Sequence, residues 1–385
     1  MVKIFIPKER ADFESRVAIT PEIVKKYLSK GYEVLIEKGA GLGSHITDDA
    51  YTAAGAVIVG DVSHSWKKAD IIFKVAPFEF NDELQVSECS LLKEGAIVIG
   101  LLAPYKNPKM IQAFEEKKIT SISMEFVPRI TRAQTMDALS SQANIAGYKA
   151  VLIAAAKLDK YFPQLMTAAG TVRPAKVVII GAGVAGLQAI ATARRLGAVV
   201  EVSDIRPEVK EQVMSLGGKY IEPPAGEEGS GEGGYAKEVT KEYLAKQQEI
   251  LSNHISMADV VISTALVPGR PAPKIITEDM VKRMNPGSII IDLAVSEGGN
   301  CPLSVPNKEI DYNGVTIIGD SNLPSKLATD ASNLYARNIF ALSELFLKNE
   351  KIEFDFEDEI IKGSIITHGG EIVNESIKKI IKGGT

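Results

Sequence analysis

An apolar run, Val177-Val178-Ile179-Ile180, leads straight into Gly181-Ala182-Gly183-Val184-Ala185-Gly186, and the next apolar run, Ala198 to Ser203, closes on Asp204. Glycines at these spacings suit a strand that turns sharply into a helix. Gly181 permits the tight turn, Gly183 lets the backbone approach a pyrophosphate, and Gly186 lets the helix lie close to the sheet with its N-terminus toward the phosphates. Asp204 follows the first glycine by 204 − 181 = 23 positions. A carboxylate there accepts bonds from both ribose hydroxyls and repels a 2′-phosphate. The chemistry these residues predict is binding of NAD(H) in preference to NADP(H). Arg206 is the discordant residue, because an arginine at that place is able to meet a 2′-phosphate.

A second polar run, Arg129-Ile130-Thr131-Arg132-Ala133-Gln134-Thr135-Met136-Asp137-Ala138-Leu139-Ser140-Ser141, has groups suited to a nicotinamide. If it starts a helix, Gln134, Asp137 and Ser140 share a face and offer a carboxamide, an acceptor and a hydroxyl beside Arg129. The same residues also read as a capping box, with Thr131 and Gln134 satisfying free amides at a helix start. Spacing by itself favours the cap.

Other chemistries find less support. His45, His64, His254 and His368 are scattered, and none has a second metal ligand at helical spacing. There is no G-x-S-x-G elbow and no phosphate loop ending in lysine and a hydroxyl, so hydrolase and kinase readings fall away. A net charge of −5 argues against nucleic acid. Cys89 and Cys301 form no C-x-x-C and read as two small buried thiols in a reducing compartment.

The elements that must position these residues alternate along all 385 residues. Strands are predicted at 3–7, 33–37, 56–59, 71–75, 96–102 and 119–123, with helices at 21–30 and near 48–54. A long helix over 137–161 stops before Pro163. Strands then recur at 177–180, 198–204, 220–221, 260–263, 288–292 and 315–318, and a second alanine-containing helix spans 331–347. Such alternation predicts an α/β fold of two Rossmann-like, doubly wound parallel-sheet domains separated by a cleft. Residues 1–136 with 331–385 are expected to form a discontinuous first domain, and 137–330 the NAD(H)-binding one. That second domain includes the glycine-rich segment 223–237, which reads either as a mobile loop closing with Tyr235 over a nucleotide or as a flexible surface insertion. The start, Met1 to Pro7, is a short strand rather than a signal peptide, and no membrane span is evident.

Taken together, these residues resemble the NAD(H)-binding component of proton-translocating transhydrogenase, itself similar to alanine dehydrogenase. The resemblance is carried by Pro7-Lys8-Glu9, Glu14 to Pro21, Phe73-Lys74-Val75, Pro128 to Gln134 with Met136-Asp137, the glycine motif, Leu266 to Pro273, and Asp292-Leu293-Ala294. It implies that Arg129, Gln134, Asp137 and Ser140 are catalytic, holding the nicotinamide for transfer, and this outweighs the cap for Gln134. The nucleotide contacts it implies are Gly181, Gly183, Val184, Gly186, Asp204, Ile205, Gly234, Tyr235, Ala236, Thr264, Ala265 and Leu266. Alanine dehydrogenase has a proton-transferring histidine in a His-Leu-Ala stretch where this chain reads Leu101-Leu102-Ala103, and an aspartate where Ser296 stands. Arg16 and Lys74 match positions that grip the amino acid's carboxylate there, so residual substrate binding stays open.

The function implied is transfer of hydride from NADH to NADP+, with NAD(H) held here and NADP(H) by a partner domain of the beta subunit. A membrane-embedded subunit would couple this to proton translocation, with this component a homodimer at the cytoplasmic face of the inner membrane and no metal. The end at Lys382-Gly383-Gly384-Thr385, without a membrane extension, leads to the expectation of a separate chain. The alternatives are an NAD-dependent alanine dehydrogenase with an unrecognised base, and a catalytically silent NAD sensor that would not need Gln134.

Overall fold

The computed structural model describes residues 1–224, 241–267 and 269–382. Gly234, Tyr235 and Ala236, with most of the 223–237 segment, lie outside the described residues. The chain divides into two compact units, Met1–Gln142 with Pro324–Thr385, and Ala143–Leu323.

In the first unit, alternation along the strands sorts the core into two layers. Ile4, Ile6, Ile71, Phe73, Ile97 and Ile99 enter one buried cluster, and Phe5, Ile72 and Val98, from between them, enter another. Successive strand side chains point to opposite faces, so both faces of the sheet are covered and the strands are apolar throughout. Helix Pro21–Ser29 buries Ile23, Val24 and Tyr27 in the first cluster, and helix Pro108–Glu116 buries Met110, Ile111 and Phe114 in the second. Each begins with proline, whose fixed φ and missing N–H suit a first helical position. The strand order is Glu371–Ile372, Ile365–His368, Thr120–Ser123, Ile97–Gly100, Ile71–Phe73, Lys3–Ile6, Glu33–Glu37, Val57–Val59. Pairing is parallel from Thr120–Ser123 onward, and Ile365–His368 joins antiparallel from the far end of the chain.

The second unit repeats the plan. Its order is Lys219–Tyr220, Val199–Ser203, Lys176–Ile180, Val260–Ser263, Ile289–Asp292, Val315–Gly319, Lys308–Tyr312, and only the last pair is antiparallel. Val177, Ile179, Val260 and Ile262 face one cluster, and Val178, Ile180 and Val261 the other. Both units are therefore Rossmann-like sheets of mainly parallel strands. Among the described residues, no helix is long and apolar enough to cross a membrane.

The unit boundaries differ from those expected at 136/137 and 330/331. The long helix runs over Ala138–Lys157, ending before Tyr161, and its first turn packs with the first unit. There Ser141 Oγ donates to Asn338 at 2.7 Å and Gln142 Nε2 to the Ala331 carbonyl at 3.1 Å. The returning helix is Ala328–Ser343, a turn earlier than the sequence suggests.

Candidate functional site

The glycine turn leaves the centre of the second unit's sheet, between Val199–Ser203 and Val260–Ser263. Gly181 sits at φ +94°, where a side chain would be strained. Gly183 precedes helix Val184–Arg195, and a Cβ built on it would meet nothing within 4 Å, so the backbone there is open to a ligand. Gly186 is closed in: its Cβ would lie 1.9 Å from the Gly181 carbonyl oxygen. The helix carries Arg194 and Arg195 in its last turn, complementing the dipole whose positive end faces the turn.

Sequence reasoning missed Gly147. It lies inside the long helix, and a Cβ there would fall 2.0 Å from the Ala185 carbonyl oxygen. Its absence of side chain lets two helices meet at the N-terminal turn of Val184–Arg195. The available signal was a lone glycine in an alanine-rich helical run, where glycine costs about 1 kcal/mol against alanine.

Asp204 is more occupied than its spacing suggests. Oδ2 accepts the Ala182 N–H at 2.6 Å and Arg206 Nη2 at 3.2 Å, while Oδ1 accepts the Arg206 N–H at 2.8 Å and Nε at 3.1 Å. Arg206, the discordant residue, is thus turned onto the carboxylate. Beside the turn, Thr264 Oγ1 donates toward the carbonyls of Ile180 at 3.2 Å and Gly181 at 3.1 Å. Three apolar side chains of this neighbourhood stay exposed: Val184 by 40%, Ile205 by 53% and Leu266 by 49%.

In the first unit, the 129–141 segment takes a form that neither sequence reading anticipated. Thr131–Met136 is a 3-10 helix whose preceding residue, Ile130, supplies no side-chain cap. The Thr131–Gln134 capping box is therefore not formed. The cap belongs to the next helix, where Asp137 accepts the Ser140 N–H at 2.8 Å and the Ser140 hydroxyl at 2.5 Å. Ala133 and Met136, three apart, are buried, as a 3-10 helix aligns positions i and i+3. Arg129 and Gln134 are left exposed, and neither hydrogen-bonds nor pairs with a described residue. Arg132 is instead held by Asp358, at 2.7 and 2.8 Å.

Arg16 and Lys74, both buried, are gripped by the chain itself. Arg16 donates to Glu14 at 2.8 and 2.6 Å and to Gln142 at 2.8 Å. Lys74 Nζ lies 3.1 Å from Glu9 and 3.0 Å from Glu88. Burial works against its charge, but the two carboxylates outweigh that and hold its pKa above that of a free lysine. Leu102 is fully buried, and the N–H groups of Leu102 and Ala103 donate to Glu125 at 3.2 and 2.7 Å.

Both units find counterparts among known proteins. Residues 5–146 match the alanine dehydrogenase/PNT N-terminal domain, and residues 150–375 match the alanine dehydrogenase/PNT C-terminal domain. The chain belongs to the alanine dehydrogenase/PNT family.

Within this oxidoreductase family, the chain is 48% identical over 380 residues to the first portion of NAD(P) transhydrogenase subunit alpha of Rhodospirillum rubrum, which is a chain in its own right, covering 98% of this chain and 99% of that one. The crystal structure of transhydrogenase from Sinorhizobium meliloti superposes with a TM-score of 0.85 at 45% identity, covering 96% of this chain and 99% of the other. An L-alanine dehydrogenase structure shares the fold, with a TM-score of 0.81 at 24% identity and 99% of each chain covered. Alanine dehydrogenase/PNT proteins thus share a scaffold across both enzyme names. Which chemistry this member performs must come from its site.

Proposed function

We propose that this chain is the NAD(H)-binding component of a proton-translocating NAD(P) transhydrogenase. The observation that carries the reading is the state of the 129–140 segment: Asp137 is committed to Ser140, and Arg129 and Gln134 stand exposed and unpartnered among the described residues. Such a segment can hold and orient a carboxamide ring but offers no base. Oxidising an amino acid requires removing a proton from its amine, and Leu101, Leu102 and Ser296 cannot take one at neutral pH. Hydride exchange between two nicotinamides needs only positioning and exclusion of water.

In this reading Gly181, Gly183 and Gly186 with the N-terminus of Val184–Arg195 hold the pyrophosphate. Asp204 takes the ribose, with Arg206 yielding, and Val184, Ile205, Thr264, Ala265 and Leu266 line the nucleotide. The exposed apolar side chains around an open Gly183 support this fit. Gly234, Tyr235 and Ala236 complete it as a covering loop. When bound, NADH supplies a hydride to NADP+ held by a partner domain. Arg129, Gln134, Asp137 and Ser140 orient its ring toward that partner.

The same reading makes the component peripheral to the inner membrane on the cytoplasmic side, joined to a membrane-embedded subunit that couples transfer to proton movement, and homodimeric. The hairpin of Leu165–Thr167 and Gly170–Val172, with Met166 83% exposed, supports a second copy as neighbour, since a lone two-stranded hairpin is marginal in water. The test mixes the purified chain with an NADP(H)-loaded partner domain and follows reduction of an absorbance-shifted NAD+ analogue. Exchange is expected. No exchange, with NADH formed from alanine and NAD+, would replace this reading with the amino-acid dehydrogenase.

A further inference from the structure

Gly298 and Gly299 both adopt left-handed backbone angles, φ +95° and +79°, and the residue that follows, Asn300, is fully buried. A buried carboxamide must satisfy two donors and an acceptor. Asn300 satisfies all of them on one stretch of chain. Its Oδ1 accepts the Ala265 N–H at 3.1 Å, and its Nδ2 donates to the Ala265 carbonyl at 2.9 Å and the Pro273 carbonyl at 2.8 Å. The first two bonds copy the exchange between facing residues of an antiparallel ladder, so one side chain grips both backbone groups of Ala265.

What Ala265 stands against gives this grip its meaning. A Cβ on Gly181 would lie 2.5 Å from Thr264 Oγ1 and 3.4 Å from the Ala265 nitrogen, so this backbone packs directly on the glycine turn. Asn300 is fixed from behind. Asp292, itself buried, accepts the Cys301 N–H at 3.0 Å and the Ser304 hydroxyl at 2.6 Å, and the Asn300 carbonyl accepts the N–H groups of Ile275 and Ile276, each at 3.0 Å.

We propose that Asn300 is a positioning residue of the nucleotide site: it fixes Thr264-Ala265-Leu266 against the Gly181 turn before the nucleotide arrives. The inference rests on the reading of that turn as the NAD(H) site. No other side chain replaces this one. Aspartate would set a carboxylate against two carbonyl oxygens with no N–H to offer, and serine is too short to span Ala265 and Pro273 together.

The experiment uses the full chain and three variants, Asn300→Ser, Asn300→Asp and Ile317→Val. The last trims the core cluster that contains Cys301 without touching Ala265, and serves as the control for general loosening. NADH is titrated by its fluorescence, amide exchange is followed at Ala265, and thermal unfolding is recorded. N300S is expected to weaken NADH binding roughly tenfold or more and to speed Ala265 exchange by a similar factor, with N300D weaker still, whereas I317V stays within about twofold on both. Should N300D fail to fold, N300S decides. The proposal is overturned if N300S binds NADH within about twofold of the unsubstituted chain, or if I317V weakens NADH as much for an equal loss of melting temperature. An unsubstituted chain that does not bind NADH would overturn the nucleotide reading itself.

Discussion

Replacing Gly147 with alanine tests the helix contact behind the nucleotide turn. The new Cβ would sit 2.0 Å from the Ala185 carbonyl oxygen, whereas ordinary contact begins near 3.4 Å, so the two backbones must separate by 3.4 − 2.0 = 1.4 Å along that line. The obstacle is backbone on both sides, and no rotamer relieves it. Overpacking of this kind costs about 1–3 kcal/mol, and alanine returns about 1 kcal/mol of helix propensity, leaving a net loss of about 1–2 kcal/mol. Binding should suffer more than stability. Ala185 is the second residue of Val184–Arg195, so the displacement falls where the helix presents its free N–H groups. A shift of about 1 Å in a binding group can cost on the order of a hundredfold in rate, so weakening of NADH by roughly tenfold to a hundredfold is expected. Fluorescence titration gives the affinity, and urea unfolding of the same sample gives the stability. A G147A variant that loses stability yet binds NADH as tightly as before would show that the gap is absorbed away from the turn, and the reasoning would be refuted.

Gln134→Asn should slow hydride exchange with the NADP(H)-loaded partner while leaving NADH affinity within about twofold, because the shorter amide no longer reaches the ring; a collapse of affinity in the titration would return Gln134 to a structural role. Asp204→Ala should weaken NADH binding by roughly tenfold, since two charge-assisted bonds to the ribose are lost, and unchanged affinity by calorimetry would reassign that contact. Asp358→Asn should destabilise the fold by about 1 kcal/mol, as Asp358 caps helix Glu359–Ser364 through the Ile360 and Ile361 N–H groups. The hydrogen bonds from Arg132, opposed by burial and joined by those backbone amides, hold the Asp358 pKa down at about 2, from 3.8 in a free aspartate. Its contribution is therefore complete above about pH 4 and lost as the pH falls toward 2. Acid unfolding of D358N should lack that limb, and an unaltered acid profile would count against the assignment.

The sheets and the glycine turn were legible because their signals are local. Val177 to Gly186 spells strand, turn and helix in ten consecutive residues, and Val34 and Leu35 show by alternation that both faces of a strand are covered. What sequence could not supply is partnership across the fold. Gly147 matters because Ala185 approaches it, and Asn300 because Ala265 does, at separations no periodicity records. The capping box at Thr131 is a plausible local pattern that lost to packing: burial of Ala133 with Met136 wound the segment into a 3-10 helix and passed the cap to Asp137. The unit boundaries were misplaced for a related reason. Ser141 and Gln142 belong to one helix by periodicity and to the first unit by their bonds to Asn338 and Ala331.

The antiparallel strand Ile365–His368 has a bearing on how the molecule is made. It pairs with Thr120–Ser123, whose own segment leaves the ribosome some two hundred and forty residues earlier, as the Thr367 and Ser121 hydroxyls, 246 positions apart, record by bonding at 2.7 Å. Until that late strand arrives, Thr120–Ser123 is a raw sheet edge with unpaired amides, the kind of surface on which nascent chains stick to one another. The middle stretch suffers no such delay, since all its strands emerge together. Biosynthesis thus completes the nucleotide-turn unit first and closes the other last, which makes the final residues of the chain a guard against aggregation as much as a part of the finished protein.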